Sequence, residues 1–305
     1  MKKILMRLSF LAVALTGLMA SCQTTQSQTS QPKVMQVTSP SNSQINQLYV
    51  FGDSLSDSGN VFRVTEGTYP PTPPYFQGRY SNGRVWVEQL AAKLGLSAEQ
   101  TNNFAYGGAT TANARENGIP GVLVQIQNFV KTNPQGDPKA LYVIWGGAND
   151  YLGGDATNPT RVVDNITTAI ESLSKTGAKR FLVANLPDLG ILPATRNTSS
   201  AKSLSSLSQS HNATLSRSLE ALNQKLGNGT QIFALDVSRL YQTAIATPSK
   251  FGLKNVTNSC LNNTACKPSE FLFWDGIHPT TKTHQLLAEM AFSTLQKPAQ
   301  VSANP

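Results

Sequence analysis

The sequence is poor in the residues on which metal and redox chemistry rest, with three cysteines and three histidines among 305 residues. Two of the cysteines, Cys260 and Cys266, have no histidine near them in sequence, a poor start for a zinc site. No metal or other cofactor is expected. Also missing are G-x-S-x-G, H-E-x-x-H and G-x-G-x-x-G segments, which weighs against elbow-type hydrolases, zinc proteases and dinucleotide binding. Beyond the N-terminus, no apolar run approaches the roughly 18 residues that a bilayer crossing needs. Acidic residues are outnumbered, 17 against 25 Lys and Arg, but the basic residues are scattered rather than gathered in a stripe. A solvated surface without a nucleic-acid partner follows.

What is present begins with an address. A charged start, Met1-Lys2-Lys3, is followed by an apolar stretch from Leu8 to Leu18 and by small Ala20 and Ser21, the pattern of a secretory signal over residues 1–21. Met19-Ala20-Ser21-Cys22 resembles a bacterial lipobox, although Met stands where Leu is usual. That resemblance implies a lipid on Cys22 and an exported protein anchored to a bacterial membrane, facing the periplasm or the exterior. A plain signal peptide and a secreted soluble product is the other reading. Removing Lys2, Lys3 and Arg7 with the signal would take the formal charge from +8 to +5. Residues 22–46 are rich in Ser, Gln and Thr and read as a disordered tether. Residues 47–297 form the expected domain, and 298–305 a flexible tail. In an oxidising compartment Cys260 and Cys266 are expected to pair as a disulfide, two free thiols being the alternative.

From Gln47 onward, short apolar runs alternate with longer amphipathic stretches, which predicts an α/β fold with a parallel sheet between helical layers. Five strands are expected: Leu48–Phe51, about Asn102–Ala105, Leu141–Trp145, Arg180–Asn185 and Gln231–Leu235. That number suits a flavodoxin-like α/β/α sandwich. Helical patterns are clearest in Val85–Leu94, Arg161–Lys175, Leu204–Leu226 and Thr280–Leu295, with Pro279 suited to a first helical position. The stretch from Arg63 to Arg84 carries Pro70, Pro71, Pro73 and Pro74, then Tyr75, Phe76 and Tyr80. A loop of this length after the first strand would lie over the strand ends as a wall or lid, or pack as plain surface.

Open α/β sheets hold ligands at the carboxyl ends of their strands. After the first strand comes Gly52-Asp53-Ser54, where Gly52 permits a tight turn and Ser54 sits at a strand-to-helix junction. After the second comes Tyr106-Gly107-Gly108, with Gly108 the better backbone donor. After the third, Gly146-Gly147-Ala148-Asn149 offers an amide that can donate to a developing oxyanion. Near the C-terminus, Asp275-Gly276-Ile277-His278 brings an acid and an imidazole onto one loop. A serine becomes a good nucleophile when a base takes its proton and a third group fixes the base. His211, in a Ser-rich helical stretch, and His284, on the last helix, read as structural residues, which leaves His278 as the base. Asp53, Asp57 and Asn60 read as local loop supports.

These four segments, in this order, resemble the GDSL or SGNH esterases and lipases over almost the whole chain after the tether. Gly78-Arg79-Tyr80-Ser81-Asn82-Gly83-Arg84, with Val85-Trp86, is similar to the branch holding plant lipases and bacterial lipid acyltransferases. The resemblance implies the SGNH hydrolase fold, a Ser54, His278 and Asp275 triad, and an oxyanion hole of Ser54, Gly108 and Asn149. It implies a monomeric serine hydrolase that cleaves acyl esters through an acyl-enzyme. Transfer to an alcohol acceptor, deacetylation of a polysaccharide, and a surface lipoprotein without turnover are the competing readings.

Overall fold

Five parallel strands carry the apolar runs: β1 Leu48–Gly52, β2 Thr101–Asn103, β3 Leu141–Trp145, β4 Arg180–Ala184 and β5 Gln231–Leu235. Numbered within this sheet, they lie in the order β2-β1-β3-β4-β5, the flavodoxin-like order. β1 and β3 pair with Leu48 opposite Leu141 and Gly52 opposite Trp145. Side chains alternate across a strand, so Val50, Val143 and Leu182 enter one core while Phe51, Ile144 and Val183 enter the other. Burial on both faces is why the central strands are continuously apolar rather than alternating. The chain is described here from a computed structural model covering residues 45–154, 156–227 and 229–296. The signal segment, Cys22, residues 22–44 of the tether and the tail at 298–305 lie outside the described residues.

The helices are α1 Asn60–Val64, α2 Trp86–Lys93, α3 Val122–Thr132, α4 Ala148–Leu152, α5 Pro159–Thr176, α6 Ala201–Leu226, α7 Val237–Ala246 and α8 Thr281–Gln296. Leu90 of α2, Tyr241 of α7 and Leu287 of α8 pack on one face of the sheet. Phe129 of α3, Ile170 of α5 and Leu219 of α6 pack on the other, which completes the three-layer α/β/α sandwich. Helix α5 illustrates the local coding. Asn158 accepts the Thr160 N–H, Pro159 occupies the first turn, and Gly177, at φ 114°, ends the helix; each residue type is suited to its place. Among the described residues no helix is long and apolar enough to cross a membrane.

Four details differ from the sequence reading. Strand β2 ends at Asn103 instead of Ala105, because the Asn103 side chain turns the chain by accepting the Ala105 N–H at 2.9 Å. Helices α3 and α7 were not among the expected elements. Pro279 precedes α8 rather than opening it: it bridges to Phe273, and Thr280 Oγ1 accepts the Thr283 N–H at 3.3 Å in the capping position. Ile45 and Asn46, assigned to the tether by composition, pack on the body; Ile45 is buried and Asn46 donates to Asp137 at 2.7 Å.

Candidate active site

The loops at the carboxyl ends of the strands converge, and Gly52 sets the first of them. A Cβ at this position would lie 2.2 Å from the Trp145 carbonyl oxygen, so the approach of β1 to β3 here tolerates only glycine. Both backbone groups of Gly52 are satisfied by Gln125 of α3, which accepts the N–H at 3.0 Å and donates to the carbonyl at 2.9 Å. The chain then leaves the sheet and presents Ser54.

Ser54 Oγ stands 2.8 Å from His278 Nε2, and His278 Nδ1 stands 2.7 Å from Asp275 Oδ2. Ser54 and His278 are buried, at 7% and 8% exposure. The other oxygen of Asp275 accepts the backbone N–H groups of Ile277 at 2.8 Å and His278 at 2.7 Å, closing a tight acid-to-base turn. Burial works against the Asp275 charge, but the His278 hydrogen bond, the charge on that imidazole and the two backbone donors outweigh it and hold the carboxyl down at about 2. A carboxylate so held remains charged wherever the imidazole is neutral, and its bond to Nδ1 leaves Nε2 free to accept the serine proton.

Three donors lie on the segments that follow β1, β2 and β3. The Ser54 and Gly108 N–H groups have no acceptor among the described residues, and Gly108, at φ 81°, opens onto solvent. Asn149 spends one amide hydrogen on the Ala109 carbonyl at 2.9 Å, which leaves the other free. Buried carboxylates bolt these loops together. Asp57 accepts the N–H groups of Gly59, Asn60 and Val61 and, across the site, that of Gly107 at 2.9 Å. Asp150 accepts both the N–H of Thr111, at 2.9 Å, and its hydroxyl, at 2.7 Å. Asn60 donates to the carbonyls of Asn103 and Ala105. Asp57 and Asn60 are therefore not only local supports; they join the loop after β1 to the loop after β2.

Asp53 is a different case. Its Oδ1 accepts the Leu55 N–H at 3.0 Å, but its Oδ2 is buried without a partner among the described residues. Burial, the dominant effect, raises this carboxyl to about 7. The two remaining histidines are core residues. His211 is hydrogen bonded to the Tyr151 hydroxyl at 3.0 Å, and His284 accepts the Trp86 N–H at 3.2 Å. Burial lowers them to about 4 and about 3, respectively.

Beside Ser54, Asn149 and His278 lies a pocket with walls of Leu55, Leu152, Leu189, Leu192, Tyr241 and Ile277. Its lining comes from five separated segments, and the sequence reading did not identify it. The proline-rich loop reaches the site from the other side: the Tyr75 hydroxyl donates to Asp275 Oδ2 at 2.7 Å, and the Tyr80 ring packs on His278 at 5.1 Å between centroids. Beneath Tyr75, Cys260 and Cys266 are joined with their Cα atoms 5.2 Å apart, and they cluster with Phe271 and Trp274. No group of three or more His, Cys, Asp or Glu that could hold a metal occurs among the described residues.

Comparison with known proteins identifies the family. The family model described as GDSL-like lipase/acylhydrolase matches residues 48–291. The phosphatidylcholine-sterol acyltransferase of Aeromonas hydrophila is 28% identical, over 82% of this chain and 90% of that one. Esterase EstA of Pseudomonas aeruginosa is 27% identical over 85% of this chain, which spans about half, 48%, of that protein. The GDSL esterase/lipase At1g71691 of Arabidopsis thaliana is 27% identical over 81% of each chain. Of three further curated relatives the chain spans 50% to 63%. Among solved structures, a member of the lipolytic G-D-S-L family from Veillonella parvula is similar with a TM-score of 0.47 and 20% identity, over 81% of this chain and 96% of that one. Matched by the family model over most of its length, the chain belongs to the GDSL-like lipase/acylhydrolase family and is a carboxylic ester hydrolase.

Proposed function

We propose that Ser54 is the nucleophile of an acyl-ester hydrolase, with His278 as general base and acid and Asp275 as its orienting carboxylate. The observation that carries this reading is the unbroken line from Ser54 Oγ to His278 Nε2, 2.8 Å, and from His278 Nδ1 to Asp275 Oδ2, 2.7 Å. His278 Nε2 takes the serine proton as Oγ bonds to the ester carbonyl carbon. It returns that proton to the leaving alkoxide as the ester C–O bond breaks. Water then attacks the acyl-enzyme, passes a proton to His278, and leaves a carboxylic acid; the proton returns to Ser54 Oγ. The N–H groups of Ser54 and Gly108 and the side chain of Asn149 hold the oxyanion.

The apolar walls beside Ser54 suit the acyl part of an ester, because each buried methylene contributes about 0.8 kcal/mol. A second reading keeps the site and changes the acceptor to an alcohol. It is favoured by similarity to the Aeromonas acyltransferase over 90% of that protein. Residues 1–22 support export and lipid anchoring at Cys22, and the protein acts as a monomer in this reading.

The test uses p-nitrophenyl esters from acetate to palmitate, with wild type and Ser54→Ala. Wild type should turn over at least one ester of the series, and that turnover should fall to background in the variant. Full turnover by folded Ser54→Ala would refute the reading. Adding a long-chain alcohol and analysing products separates a new ester from a free acid.

A further inference from the structure

The proline-rich loop has a polar contact that the acid–base chemistry, as proposed above, does not use. Asp275 Oδ2 receives two donors at the same distance, 2.7 Å: the His278 Nδ1–H and the Tyr75 hydroxyl, from a residue 200 positions earlier. Its partner Oδ1 is already occupied by two backbone N–H groups, so Tyr75 completes the carboxylate's four acceptor positions. The tyrosine is itself held. Its N–H donates to the Pro71 carbonyl at 3.1 Å, the next residue, Phe76, donates to the Ser81 carbonyl at 2.8 Å, and its ring packs against the cluster around Cys260 and Trp274. Burial first, and then the bond to Asp275, raise its hydroxyl well above the ordinary tyrosine range, so it stays a donor throughout the neutral region.

We propose that Tyr75 is a positioning residue for the acid–base pair: its hydroxyl fixes the Asp275 carboxylate and tempers the pull of that carboxylate on the His278 imidazolium. This rests on Asp275 and His278 being the acid–base pair. The physical basis is direct. A hydroxyl dipole with its positive end on Oδ2 weakens the negative potential felt at Nδ1, so the protonated imidazole is less favoured than beside a carboxylate lacking this donor. The Tyr75 hydroxyl also removes one direction in which the carboxylate could rotate away from His278.

The other titratable groups facing the pair are Tyr80 of the same loop, Asp53 beside the nucleophile, and His284 of α8. Burial keeps His284 neutral in the working range, and burial first, then the Asp57 charge, keep the Tyr80 hydroxyl protonated. Asp53, raised to about 7 by burial, is charge-coupled to His278 and follows it. Because only the Tyr75 hydroxyl differs between wild type and a Tyr75→Phe variant, the difference between their pH profiles reads its effect on this coupled set.

The experiment is the pH dependence of kcat and kcat/KM of the full chain on a p-nitrophenyl ester, for wild type, Tyr75→Phe and Asp275→Asn. Tyr75→Phe keeps the ring and its packing, and its circular dichroism and Tm monitor folding. Expected are a fall in kcat of about tenfold, the scale of one lost hydrogen bond to a charged group, with KM nearly unchanged, and an acid limb moved to higher pH by about half a unit. A fall in activity with no movement of the acid limb, or no change in either, would overturn the proposal while a dead Asp275→Asn left the acid–base assignment standing. An Asp275→Asn enzyme as active as wild type would overturn both.

Discussion

The Ser54 side and the Asp275–His278 side of the candidate site, the proposed nucleophile and acid–base sides, are built by different means. Ser54 and Gly108 sit on loops, and Asn149 at the start of α4, each following one of three adjacent strands of one sheet, and their spacing follows from the strand register and from buried bolts such as Gln125, Asp57 and Asp150. Asp275 and His278 lie outside that sheet, after Phe271–Phe273, a short strand paired in parallel with Asn255–Ser259. What holds them is a turn around one carboxylate, a tyrosine from the proline-rich loop and the cluster around Cys260 and Cys266. Damage to the first side should therefore strike transition-state stabilisation and folding together, whereas damage to the supports of the second, Asp275 and His278 themselves apart, should adjust the base.

The largest expected effect that would sharpen this contrast belongs to Asn149. Asn149→Ala should lower kcat by about 10²–10³ with little change in KM, since the lost donor acts on the developing oxyanion; steady-state kinetics on a mid-length p-nitrophenyl ester checks this. Next comes Asp57, whose four N–H donors have no other acceptor among the described residues. Asp57→Asn turns an amide donor toward some of those N–H groups and should cost about 2 kcal/mol, read as a Tm lowered by roughly 4–8 °C. Unchanged Tm and activity would break the idea that Asp57 bolts the loops after β1 and β2 together.

On the acid–base side, replacing Cys260 and Cys266 together by Ser should lower Tm by a few degrees and kcat/KM by a few-fold at most. A collapse of activity as deep as that of Asn149→Ala would contradict the contrast. The smallest effect concerns pH. Asp53 is raised to about 7 in the folded chain, above its unfolded value, so the folded state binds this proton more tightly. Its contribution to stability is full below the unfolded value and is lost as pH rises toward and through 7. Asp53→Asn removes that slope, and the Tm of the variant relative to wild type should climb between pH 5 and pH 8, as thermal melts at several pH values would read.

Much of the scaffold could be read from the residues. β3, β4 and β5 are apolar runs flanked by helical periodicity, and their expected ranges agree with the observed strands to within one residue. Helix α3 escaped notice because its apolar stripe of Val122, Ile126 and Phe129 is broken by Gln125, the residue that serves Gly52. A buried glutamine on an apolar face was the signal that could have revealed it. Ser54, Asp275 and His278 were legible because a chain with three histidines offers few bases. The contact of Tyr75 with Asp275 was not, because it spans 200 residues and no local periodicity encodes such a separation. The pocket lining was hidden for the same reason.

The most direct test of the account is covalent labelling. Incubation of the full chain with a fluorophosphonate, followed by mass spectrometry of peptides, should place one adduct per chain on Ser54, with activity lost in proportion. The adduct should be absent from Ser54→Ala and form slowly in His278→Ala, where no base takes the serine proton. Labelling of another residue, or turnover that survives full modification of Ser54, would contradict it.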